Sequence, residues 1–182
     1  VRQGLTKGII VEAAASMIEE DGSNALSLAA LAKVLGIKTP SLYNHIDSMA
    51  HLREELTTFT LSKLYAAISE AAIGKAGQEA LHAIGFQYVT FVREHPGLYD
   101  MTIQTKENPH ISETGEKIVA LLLKVLKPYE FQEDKALHAV RGLRSMVHGF
   151  ALLERNGEFN LNLDRDETLS FMLEAFLKGL RE

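Results

Sequence analysis

Residues Leu31–Ile46 read LAKVLGIKTPSLYNHI. A run of good helix formers stops at Gly36, and an apolar stripe resumes at Leu42 behind Thr39-Pro40. Helices this short are marginal alone, so the pair must pack on something else. Leu31, Leu35, Ile37 and Leu42 are the apolar positions that let two such helices cross steeply, with the small Ala32 at their closest approach. Gly36 stands where the chain must turn and calls for a positive φ. Ser27 is the expected N-cap of the first helix, Leu28–Leu35. Thr39 is the expected N-cap of the second, with Pro40 in its first turn, where proline forfeits no hydrogen bond. The preceding helix, Leu5–Asp21 and ended by Gly22, supplies the third wall through Ile9, Ala13 and Met17.

This is the geometry that presents one short helix to a major groove. Its other side carries Thr39, Ser41, Tyr43, Asn44 and His45, all hydrogen-bonding types. Hydroxyls and a phenol suit phosphate oxygens, and an amide or imidazole reaches base edges. Lys38 adds a cation at the helix entrance, whose free N–H groups also favour a phosphate. The candidate DNA-contact set is therefore Ser27, Lys38, Thr39, Pro40, Ser41, Tyr43, Asn44 and His45. On these residues alone a second reading stands beside it: Thr-Pro-Ser only caps a helix, and Tyr43 and His45 pack inward.

Outward from this corner the chain is built of helix formers with almost no β-branched alternation, which makes it all-α. Further helices are expected from Asp47 or Ser48 to Ile73, then at Gln78–Glu94, Pro96–Thr105, Pro109–Lys127, Phe131–Asn156 and Arg165–Leu180, about nine in all. The short elements give way to long ones near residue 50, which divides the chain into a head, 1–47, and a helical body, 48–182. The 182 residues are 46% hydrophobic and carry a formal charge of −5, which does not favour phosphate. The excess lies beyond residue 53. Residues 1–53 hold five Lys/Arg and five Asp/Glu, so this stretch is neutral and permissive for DNA.

Several classes recede. With no cysteine, disulfides and thiolate chemistry play no part, and a reducing, cytoplasmic setting is expected. No apolar run approaches the ~20 residues of a membrane-spanning helix, and no secretion leader is recognisable. The histidines show no metal-ligand spacing, and neither a Gly-x-Ser-x-Gly elbow nor a glycine-rich phosphate loop occurs. No enzyme, metal or cofactor is expected, although a helical enzyme built on His148 with Glu154 or Arg144 is conceivable. A helical interaction module without DNA binding is the other rival.

The stretch SLAALAKVLGIKTPSLYNHIDSMAHLREEL resembles the DNA-binding region of TetR-type (tetracycline-repressor-like) transcriptional regulators. The likeness runs through the apolar skeleton, the Gly36 turn and Leu-Tyr-x-His at 42–45 into the start of the fourth helix. RGLRSMVHGFALLERNGEF and DRDETLSFMLEAFLKGL, near the other end, resemble a branch of that family with a His-Gly pair in the penultimate helix. The resemblance implies a homodimer that grips operator DNA with its heads, pairs its last two helices with their symmetry mates, and is released by a small molecule that tilts the fourth helix. It also exposes a departure: the family often carries a phosphate-binding lysine where this chain has Met49.

The body must be read on its own. Phe86, Tyr99, Met101 and Ile103 sit at helical spacings that mark either plain core or the lining of an effector cavity. His148, with Arg144 one turn before it, is an interior histidine beside Gly149, a cavity group orienting an anionic or hydroxylated effector, or a residue facing the dimer partner. For the dimer bundle the expected apolar positions are Val140, Leu143, Val147, Ala151, Phe171, Leu173, Phe176 and Leu180.

Overall fold

The computed structural model describes residues 4–104 and 109–180. Among them it holds eight α-helices: α1 Lys7–Asp21, α2 Leu28–Val34, α3 Met49–Ala71, α4 Gly77–Glu94, α5 Pro96–Gln104, α6 Pro109–Leu126, α7 Glu133–Arg155 and α8 Arg165–Gly179. The expected end of a helix at Thr105 lies outside the described residues. Three short 3-10 helices complete the set, at Ser23–Ala25, Thr39–Asn44 and Lys127–Tyr129.

The local signals act as their chemistry dictates. The Ala30 amide donates to Ser27 Oγ at 3.1 Å, capping α2. Gly36 takes φ +66 at the corner, a conformation costly for any residue with a Cβ. α1 starts two residues later than expected because Thr6 caps it, its Oγ1 accepting from the Ile9 amide at 3.3 Å. The larger correction is at the presenting helix itself. Thr39 is not its cap but its first residue; Lys38 takes the cap position without a side-chain bond, and Pro40 comes second. The segment is a 3-10 helix, closed by Ser41 N–H to Lys38 C=O and His45 N–H to Leu42 C=O, each 2.9 Å. Six residues holding a proline, which donates nothing, suit this tighter winding.

The chain folds as two compact units: Val1–Ser62 with His95–Thr114, and Lys63–Glu94 with Gly115–Glu182. This packing does not follow the expected division at 47/48. The start of α3 and the whole of α5 belong to the first unit because they close its core. That core gathers Ile10, Ala14 and Ile18 of α1, Leu31 and Ala32 of α2, Leu42 and Ile46 around the 3-10 helix, Leu52 and Leu56 of α3, and Leu98 and Met101 of α5. Gly97 lets α5 lie against α1, since a Cβ there would stand 3.0 Å from the Ile18 carbonyl oxygen. Of the expected wall residues on α1, Met17 is buried, while Ile9 and Ala13 lie one position off the centre of the buried stripe.

In the second unit α4, α7 and α8 pack on one another. Two glycines set the approach: a Cβ on Gly85 would stand 2.6 Å from Leu173 Cδ2, and one on Gly142 2.8 Å from Phe176 Cε2. Gly149 meets only open space within the protomer. This packing corrects the expected bundle face. Val140, Leu143, Val147, Ala151 and Leu173 are buried inside the protomer, whereas Phe171 is 73% exposed.

Candidate nucleic-acid interface

The 3-10 helix Thr39–Asn44 has one inner side and one outer side. Leu42 and the following Ile46 are 0% and 1% exposed and anchor it to the head core. Lys38, Pro40, Tyr43 and Asn44 are exposed, and Thr39, Ser41 and His45 are half-buried. Tyr43, at 53% exposure, does not pack inward. The eight candidate residues thus include seven on one continuous stretch, with every apolar anchor turned away from it. Ser27 is exposed too, and although its oxygen accepts the Ala30 amide, its hydroxyl proton remains to donate.

Behind this surface the start of α3 is tied down. Ser48 Oγ accepts from the His51 amide at 3.1 Å, and Glu55 Oε1 pairs with Lys7 Nζ of α1 at 2.6 Å. Burial pushes the Glu55 carboxyl up, but the bonds from Lys7 and His51 outweigh it and hold the group below the usual carboxylate range. Met49, where a phosphate-binding lysine was the family expectation, packs half-buried against the head core.

The expected effector residues fall into both units. Tyr99 and Met101 are buried in the first, where Met101 is part of the head core and its carbonyl accepts from Thr57 Oγ1 at 2.9 Å; Ile103 is 47% exposed. Phe86, Arg144 and His148 belong to the second. There the Phe86 ring lies 4.9 Å from the His82 ring, Arg144 is exposed, and His148 Nδ1 is 3.5 Å from the Tyr88 hydroxyl. Two open grooves of the second unit take in none of these three. One of about 590 Å³ is bounded by Gly77, Gln78, Tyr129, Phe131 and Lys135; one of about 810 Å³ by Lys75, Glu79, His82, Glu174 and Lys178.

Sequence reasoning missed the strongest polar feature of that unit. Arg93 Nε and Nη2 donate to the two Glu154 oxygens at 2.7 and 2.8 Å, and Nη2 also reaches Asp166 Oδ1 at 2.7 Å. Glu154, conceivable earlier as a catalytic partner of His148, is thereby engaged as an ion-pair acceptor. Its position within an apolar stripe of α7 was the available signal, but a single sequence does not say which cation answers it.

Burial, and then the charge of Arg144, push the His148 imidazole below its ordinary value of 6.5. Its folded pKa therefore lies under the unfolded one, and between the two the unfolded chain binds the extra proton. Stability contributed by neutral His148 is present above the unfolded value and is lost as the pH falls through it towards the folded value. Thermal melts at about pH 7.5 and about pH 5 are expected to differ less for His148→Gln than for the native chain.

Residues 10–56 match the family model for bacterial regulatory proteins of the tetR family, and residues 81–176 that for the tetracyclin repressor-like C-terminal domain. The uncharacterized HTH-type transcriptional regulator YobS of Bacillus subtilis is 37% identical over 98% of this chain and 94% of its own. The chain is a member of the TetR family. A second HTH-type regulator, Rv0681 of Mycobacterium tuberculosis, is 28% identical over 97% of this chain and 82% of its own. The same fold recurs among solved structures. A protein of unknown function from Rhodococcus sp. RHA1 superposes with a TM-score of 0.86 at 21% identity, over 100% of this chain and 98% of its own. Apo ActR of Streptomyces coelicolor gives 0.76 at 20% identity, over 100% and 97%. As a TetR-family protein the chain is an all-α transcriptional regulator with a helix-turn-helix head. Among the described residues no group of three His, Asp or Glu is placed to hold a metal, and no helix is long and apolar enough to cross a membrane.

Proposed function

We propose that this chain is a cytoplasmic, non-enzymatic, ligand-responsive repressor that binds operator DNA as a homodimer. The observation that carries the reading is the anchored 3-10 helix whose apolar side chains Leu42 and Ile46 are buried while Tyr43 and Asn44 stand exposed. Tyr43, Ser41 and Thr39 address phosphates, Asn44 and His45 address base edges, and Lys38 and Ser27 flank them. The functional head is 1–47 and the body 48–182. Pairing runs through α7 and α8, where the exposed Leu153 and Phe171 and the open Gly149 offer the contact surface. Solved TetR-fold neighbours include ActR in complex with (S)-DNPA and a TetR variant of Acinetobacter baumannii AYE in complex with minocycline. By analogy the effector is a small molecule, oriented by Phe86, Arg144 and His148. It releases DNA by changing the tilt of α3, with a coupling of ~1–3 kcal/mol between the two ligands.

A second reading, an interaction module that no longer binds DNA, is favoured by the packed Met49 and the neutral stretch 1–53. Selection of bound sequences from random duplex DNA, at low and at near-physiological salt, separates the two. The repressor reading expects an inverted repeat with half-sites about one helical turn or a multiple apart. Recovery of no common sequence, with binding that vanishes as salt rises, would favour the module.

A further inference from the structure

We infer that His51 is a positioning residue for DNA recognition, closing a capping box that fixes the turn between the presenting helix and α3; this rests on the DNA-binding reading above. The His51 amide donates to Ser48 Oγ at 3.1 Å, and the Asp47 amide donates back to His51 Nδ1 at 3.2 Å. Reciprocal bonds between a serine N-cap and the side chain three residues on define a capping box. Here an imidazole replaces the customary Glu or Gln, and the amide it accepts lies one residue further out, in the turn itself.

An accepting Nδ1 puts the ring proton on Nε2, which faces Glu55 Oε1 at 3.2 Å and donates to it. The same Glu55 oxygen takes Lys7 Nζ at 2.6 Å. A line of bonds therefore runs from α1 through the first turns of α3 to the backbone of residue 47. The Asp47 carboxylate lies 3.1 Å from Nδ1 and is 88% exposed. Only Ile46, 1% exposed and held in the core, separates Asp47 from His45. Fixing the Asp47 amide thus fixes the exit of the Thr39–Asn44 helix, and with it the direction in which Tyr43, Asn44 and His45 are presented. The imidazole itself touches the protein and not the nucleic acid.

The test uses the duplex that the native chain selects from random DNA. His51→Leu removes both bonds, whereas His51→Gln restores an acceptor for the Asp47 amide and a donor towards Glu55. Affinity of His51→Leu is expected to fall roughly tenfold, and that of His51→Gln to stay within about threefold of native. The slope of log affinity against log salt is expected to be the same in all three, since no phosphate contact is lost. Should His51→Leu fail to fold, His51→Ala, which likewise offers neither acceptor nor donor, takes its place with the same expectation. Native affinity in His51→Leu with only a lower melting temperature would overturn the inference in favour of a purely structural role. So would a slope shallower by about one per protomer, which marks a direct phosphate contact, or a His51→Gln as weak as His51→Leu. A native chain that selects no sequence at all would instead overturn the DNA-binding reading beneath it.

Discussion

The double variant Tyr43→Ala, His45→Ala is expected to lose at least about a hundredfold in affinity for the selected duplex while folding and dimerising as the native chain does. Each specific contact to a base edge or phosphate contributes roughly 1–3 kcal/mol, and a dimer makes each one twice. The folded state, by contrast, depends little on these side chains. Tyr43 is 53% exposed and the half-buried His45 contributes its backbone amide to the turn, which alanine retains. Substitutions at such positions usually alter stability by no more than about 0.5 kcal/mol. The neighbouring Leu42→Ala supplies the contrast. Leu42 is fully buried, so its truncation is expected to cost about 2–5 kcal/mol in stability. Gel shift on the duplex and thermal melting distinguish the two cases: affinity lost at constant melting temperature for the double variant, both lost together for Leu42→Ala. A double variant that binds DNA normally would show that the exposed side of the 3-10 helix is not the recognition surface.

The head was legible because its determinants are local. Ser27 as a cap, Gly22 and Gly36 as stops and the Leu31/Ala32/Leu42 skeleton each depend on residues within a few positions. What failed there is instructive. Thr39 has the chemistry of a cap, yet Lys38 occupies that position, and Thr39 and Pro40 are the first two residues of the 3-10 helix. Cap propensity says which residue types suit a boundary, and backbone geometry decides which one stands on it.

The body was legible as helices but much less as surfaces. An apolar stripe at helical spacing shows that one face of α7 is buried without showing which neighbour covers it. Val140, Leu143, Val147 and Ala151 were read as a face for a second protomer, and they are covered within the same chain. The spacing of Met101 and Tyr99 leaves plain core and cavity lining equally open, and α5 carries Met101 into the head core. Spacing within one helix cannot distinguish these destinations, since burial by a partner, by a ligand or by the chain's own core demands the same side chains. Long-range polar pairing is more opaque still. Arg93 and Glu154 are 61 residues apart, and although Glu154 stands out within an apolar stripe, nothing near it in sequence names Arg93 as its partner.

That pair carries the second large effect. Arg93→Ala is expected to lower the stability of the chain by about 3 kcal/mol, and the melting temperature by roughly 6–12 °C. The carboxylate of Glu154 is only 7% exposed, and its two oxygens both accept from the planar guanidinium. The Glu154 bond raises the Arg93 pKa, burial opposes it, and Asp166 adds to the rise. Most of the expected loss is therefore the penalty of leaving Glu154 buried without its cation, and not the worth of the pair as such. Asp166, at 61% exposure, contributes no more than the ~0–1 kcal/mol of a surface bridge, so Asp166→Asn is expected to be nearly silent. Arg93→Lys keeps the charge but cannot reproduce two parallel bonds, and falls between alanine and native. The decisive comparison is Arg93→Met with Glu154→Leu in one chain. If the penalty is that of an orphaned charge, removing both partners recovers most of what Arg93→Ala loses, because no buried carboxylate remains. If the double variant is as unstable as Arg93→Ala, the clamp contributes chiefly by joining α4 to α7 and to the start of α8, and its attraction rather than its absence of strain is what those helices depend on.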